Sequence, residues 1–153
     1  MKLFTIGISG WNEGDFFKTL TEHDVGRVLD IRRRSSSRGS HHAFGNKLRL
    51  STRLLELGIE YSQVKELAPA ESLWKEWYKR KRAGISPDKI WPEYKSRFLA
   101  QSETKGSIAN TQMSDFQVPT CLLCACNPPE YCHRTIVAEM LKRRWNRLEI
   151  LHL

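Results

Sequence analysis

Apolar residues alternate or cluster in short runs separated by polar turns, and the spacing changes repeatedly from two to about three and a half. Residues 2–7, KLFTIG, read as a strand that ends at the turn formers Gly7, Ser9 and Gly10. Asn12 is placed to cap a helix whose Phe16, Phe17 and Leu20 fall on one face. A second strand is predicted over residues 27–32, RVLDIR, where Val28, Leu29 and Ile31 favour extended backbone. A helix over 48–57, the break at Gly58 and a strand over 59–64 repeat the pattern. The segments ESLWKEWYKRKR and PDKIWPEYKSRFLAQ predict two helices inserted in the middle, the second modified by Pro92. Residues 102–117 are polar and poorly periodic, which predicts a loop or weak helical turns. The run VPTCLLCAC predicts a strand, a helix is expected to start at Cys132 or His133, and RLEILHL closes the chain as a final strand.

Repeated strand–helix units predict an α/β fold, a compact and mainly parallel sheet flanked by helices with a middle helical insertion. Residues 1–153 are expected to make one domain, since the length suits one hydrophobic core. No stretch approaches the roughly 20 apolar residues that cross a bilayer. The opening MKLFTIGISG lacks the apolar core of a secretory signal, so a cytoplasmic location without membrane attachment is expected. The four cysteines crowd between Cys121 and Cys132, where disulfides would close only a tiny loop; reduced thiols are the expectation.

Charge changes the picture in one respect. With 25 Lys and Arg against 17 Asp and Glu, the formal charge of +8 attracts phosphate-rich partners, although a solvated basic surface accounts for it equally well. The loop RRSSSRGSHHAFGN, after the second strand, offers Arg, Ser and His to a ligand. Trp74, Tyr78 and Tyr94 belong to a set of aromatic residues expected mostly to anchor helices, with an exposed member able to stack on a base beside Lys79, Arg80, Lys81 and Arg82.

Candidate chemistry concentrates in CLLCACNPPEYCHR, where a strand gives way to a Pro-containing turn and a helix start. In extended backbone Leu122, Cys124 and Cys126 project to one face, and Cys121 and Leu123 to the other. Cys132 is the candidate nucleophile because unsatisfied N–H groups at a helix start favour a thiolate; His133 is the candidate proton carrier. Arg134 is a candidate anion holder, and Glu130 a candidate to position a proton or close an ion pair. The spacing does not match a paired-knuckle zinc site. No cofactor is therefore predicted, but zinc remains a candidate at Cys124, Cys126 and Cys132, completed by His133 or Cys121. Purely structural thiols are the plain alternative. No Walker loop and no GxGxxG occurs, and CHR is not a Cys-x5-Arg phosphate loop.

TIGISG, LDIRRRSSSRGSHHAF, LGIEY and LLCACNPPEYCHR, in that order, resemble the family known as domain of unknown function 488, over nearly the whole chain. The resemblance implies a compact α/β fold and brings no assigned reaction. In that family's usual motif a Cys precedes an acidic residue and then CHR. Cys124 matches the first Cys, Cys126 stands where the acid is usual, and Cys132, His133 and Arg134 follow. Asp30 and Arg32 match its DIR segment, whose common following Pro is replaced here in the SSSRG region. The resulting expectation is an enzyme acting on a nucleotide or nucleic-acid component. Cys132 and His133 carry the chemistry, Arg32 and Arg134 hold an anion, and Asp30, Ser36, Cys124, Cys126 and Glu130 border the pocket. A nonenzymatic DNA- or RNA-binding module, with basic residues over 32–38 and 79–82, or a protein-interaction domain are the alternatives. In all cases Cys132 should begin the late helix, and His133 or Arg134 should meet the segment 30–32 at one strand-end pocket.

Overall fold

The computed structural model describes residues 1–36 and 39–153. Among these, five strands form one wholly parallel sheet: β1 (Lys2–Gly7), β2 (Arg27–Asp30), β3 (Glu60–Gln63), β4 (Thr120–Cys124) and β5 (Glu149–His152), in the order β3-β2-β4-β1-β5. β4 is central and buried along its whole length, as a strand covered on both faces must be. Its register sets Cys124 opposite Gly7 of β1 and Leu123 opposite Asp30 of β2.

The two faces are covered by different helices. α1 (Glu13–Glu22) and α2 (Lys47–Glu56) lie on the face of Phe4, Ile6, Val28, Cys121 and Leu123. α3 (Glu71–Arg82), α4 (Pro87–Lys105) and α5 (His133–Arg144) cover Leu3, Leu29, Ile31 and Leu122. Asn12 accepts the Asp15 N–H at 2.8 Å and so starts α1, which buries Phe16, Phe17 and Leu20. Each such side chain removed from water contributes roughly 1.5–3 kcal/mol. α3 and α4 are the expected middle insertion, packed on each other between β3 and β4.

Pro92 lies inside α4, the helix it was expected to modify: its absent N–H would have bonded a carbonyl in the helix's first turn, and Ile90, Tyr94 and Phe98 on the buried face hold the helix through it. One expectation differs from the structure in detail. Residues 102–105 continue α4 instead of starting a loop; buried Ser102 extends the packed face, and Gly106 at φ 62° ends the helix. The remainder holds a 3-10 turn, Met113–Phe116. No helix among the described residues is long and apolar enough to cross a membrane.

The chain leaving β1 and β2 turns toward α1 and α2, whereas the chain leaving β4 turns to the opposite face and enters α5. Neighbouring strand ends therefore part. The crevice opens beyond the carboxyl ends of β2 and β4, where ligands of open α/β sheets sit.

Candidate functional site

A cleft of about 660 Å³ occupies that crevice, with Cys124, Ala125 and Cys126 from the end of β4 and Cys132 and His133 from the start of α5 among its lining. Cys132 is the N-cap of α5, yet its side chain makes no capping bond; the sulfur belongs to the thiol cluster instead. The helix start is held by the preceding turn, with the Thr135 hydroxyl donating to the Pro129 carbonyl at 2.8 Å and the Cys132 N–H to the same oxygen at 3.1 Å.

Cys124 and Cys132 sulfurs and a His133 ring nitrogen all lie within 4.8 Å of one another, and all three residues are buried. His133 Nε2 donates to the Ile31 carbonyl at 2.9 Å, because a carbonyl only accepts. Nδ1 is thereby left as a lone pair, 3.6 Å from Cys124 Sγ. Burial lowers the pKa of this imidazole, which keeps it neutral. Cys126 is less buried and contacts the sulfurs of Cys124 and Cys132.

The three thiols are not equivalent. Hydrogen bonds from Cys126 and then Cys132 hold the Cys124 thiol well below its ordinary pKa, and the Arg134 charge acts in the same direction. Burial raises Cys132 well above the usual range, and the charge on Cys124 adds to this. Cys126 is pushed up to about 11, chiefly because it hydrogen-bonds Cys124. Cys124 is thus the most acidic of the three thiols, and His133 Nδ1 faces its sulfur. Half-buried Tyr78 and buried Tyr94 flank the cluster: Tyr78 is raised by burial and by the nearby Cys126 and Cys124, Tyr94 by burial and then Cys124.

Arg32 reaches the cleft at 2% exposure, but its guanidinium is already engaged. Nε and Nη2 bond the two Asp30 carboxylate oxygens at 2.8 and 2.7 Å, and Nη1 bonds the Gly45 carbonyl at 2.7 Å. Tyr61 donates to the same carboxylate at 2.7 Å. Arg134 lies behind the cleft wall, fully buried, with Nη1 donating to the Cys126 carbonyl; Nε and Nη2 have no partner among the described residues. Gly7 is required above it, since a Cβ there would collide with both the Cys126 carbonyl and Arg134 Nη1.

Of the pocket residues expected from sequence, Ser36, Cys124 and Cys126 line the cleft. Asp30 sits beneath its surface as the partner of Arg32, and Glu130 is exposed in the turn Pro129–Tyr131, outside the lining. Cys132 and His133 meet Arg32 at the cleft as expected. Arg38 of the expected basic run lies outside the described residues. Arg33 and Arg34 of the expected basic run line the cleft, as do Tyr78 and Tyr94 of the expected aromatic set, but no motif indicated that these two tyrosines would flank the thiols. Their one available signal was chemical: a buried tyrosine hydroxyl needs a partner.

Among the described residues the cleft lining contains Arg32, Arg33, Arg34, Lys75 and Arg82, and no Asp or Glu. Glu71, at its margin, is shared by Lys75 at 3.0 Å, Arg33 at 3.6 Å and Arg34 at 3.8 Å. Arg34 also lies over the Trp74 ring, 4.8 Å from its centroid, and Trp74 packs on Tyr78. A family model, Domain of unknown function DUF488, matches residues 14–141. No curated protein and no solved structure matches the chain.

Proposed function

The chain belongs to the DUF488 family, and because that description names no reaction we propose from the cleft's chemistry an enzyme acting on a nucleotide or nucleic-acid component at a zinc-type centre. The carrying observation is the convergence of two thiols and one lone-pair imidazole nitrogen in a cleft whose charged lining, among the described residues, is cationic. A metal in a binding module would be structural and closed by four protein ligands, whereas three donors converge here.

The donors fit zinc. Sulfur and imidazole suit a borderline-soft ion, and Nδ1 of His133 is the free nitrogen because Nε2 is spent on Ile31. Two thiolates balance the charge of a divalent ion, and Arg134, a buried cation with no carboxylate partner among the described residues, favours the thiolate form of Cys124. Cys124, Cys132 and His133 would hold the ion, and Cys126, the less buried thiol, lines the cleft beside them. Three protein ligands are the mark of a catalytic zinc site, where the bound ion supplies Lewis acidity to a water or a substrate oxygen. The protein's own part is to bind and orient: Arg33 and Arg34 attract phosphate, and Trp74 with Tyr78 offers ring faces to a base. Arg32 keeps the loop after β2 in place, and Cys132, first assigned as nucleophile, serves in this reading as a ligand.

The test is product analysis by mass spectrometry after zinc-loaded protein meets nucleotides, DNA and RNA. Turnover that disappears on zinc removal and in Cys124→Ser and His133→Ala is expected. Binding without product under any loading would leave the module and overturn the enzyme.

A further inference from the structure

Cationic groups extend beyond what a free nucleotide can use. Lys75, Lys79 and Arg82 stand at i, i+4 and i+7 of α3, hence on one helix face, and span about 10 Å along its axis. Lys75 and Arg82 line the cleft, and Lys79 is exposed between them. Their neighbours are occupied differently: Arg80 pairs with Glu93 at 2.6 Å, and Lys81 lies over Trp77. Lys79 and Arg82 have no carboxylate partner among the described residues. A single phosphate group held by Arg33 and Arg34 cannot also reach Arg82 and Lys79 along this row.

The reacting centre imposes a second condition. Cys124 is 3% exposed and Cys132 1%, both nearly withdrawn into the wall of a cleft that half-buried Trp74 and Tyr78 also line. A base stacked inside a duplex cannot descend to them; an unpaired one can. Resting on the enzyme reading above, we infer that the substrate is an unpaired stretch of nucleic-acid strand, one base entering toward the thiols while the α3 row holds the phosphates of its neighbours. The shared chemistry is a flexible polyphosphate strand with free base faces, from DNA or RNA.

The experiment is fluorescence anisotropy with labelled single-stranded DNA and RNA of one, three, six and ten nucleotides and a ten-pair duplex, across a salt series. Affinity should rise from the mononucleotide to the hexamer and exceed that for the duplex, with a log–log salt slope near about −2 for about three phosphate contacts. The exposed double variant Lys79→Glu/Arg82→Glu should weaken the hexamer by about tenfold or more, and Lys79→Glu alone, outside the cleft lining, should weaken the hexamer while leaving mononucleotide binding unchanged. DNA and RNA arms distinguish the source. Equal affinity for mononucleotide and hexamer, preference for duplex, or a double variant that binds the hexamer like wild type overturns the strand inference while the nucleotide enzyme stands. Failure of every probe to bind removes both.

Discussion

Arg32 and Arg134 are both withdrawn from water, at 2% and 0% exposure, and their surroundings are opposite. Arg32 lies against a carboxylate of its own: Asp30 takes two of its nitrogens, Gly45 a third, and Tyr61 completes the acid. Arg134 has a single backbone acceptor and no carboxylate within ion-pair distance among the described residues. A buried charge needs a counter-charge, and in the second case the nearest candidates are the thiols it helps to ionise. One arginine is therefore closed within the fold, joining the end of β2 to the loop that follows it. The other is open toward the site, and its balance depends on what the cysteines carry.

That contrast is most easily broken on the side of Arg32. Asp30→Ala strands a buried guanidinium, and unfolding in urea should show a loss of about 3–5 kcal/mol. The double change Asp30→Leu/Arg32→Met, which removes both charges, should recover much of that loss. Arg134→Met should act in the reverse sense. Metal-free, reduced protein should keep its stability to within about 1 kcal/mol, because little pairing is lost with the charge. Zinc affinity, measured by competition with a chelating dye, should fall by about tenfold, the usual scale for outer groups of a metal site. A large stability loss with unchanged zinc affinity would make Arg134 a second structural arginine and erase the comparison.

Much of the fold was legible because local patterns and tertiary demands agree. The strand at 2–7, the Asn12 cap with Phe16, Phe17 and Leu20, and the helix begun around Cys132 each follow from spacing and capping chemistry. The thiol and imidazole donors were visible as residue types, and Cys124 and Cys132 stand near in sequence. Other features depend on remote segments. Arg32 looked like an anion holder because nothing local reveals that Tyr61 from β3 and Gly45 from the loop would join Asp30 in enclosing it. Arg134 looked outward because CHR does not encode that Gly7, across the sheet, would admit its guanidinium beneath Cys126. Tyr78 and Tyr94 reach the thiols through the packing of α3 and α4, which no period in either helix specifies.

The central claim is that Cys124, Cys132 and His133 hold one metal ion while Cys126 does not. Protein purified under reducing conditions with limiting zinc should be measured by elemental analysis alongside native mass spectrometry, for wild type, Cys124→Ser, Cys132→Ser, His133→Ala and Cys126→Ser. The account predicts one zinc per chain in wild type and in Cys126→Ser, and little or none in the other three while they remain folded by circular dichroism. Wild-type protein that binds no zinc, or folded Cys132→Ser and His133→Ala variants that bind it as fully as wild type, would contradict it.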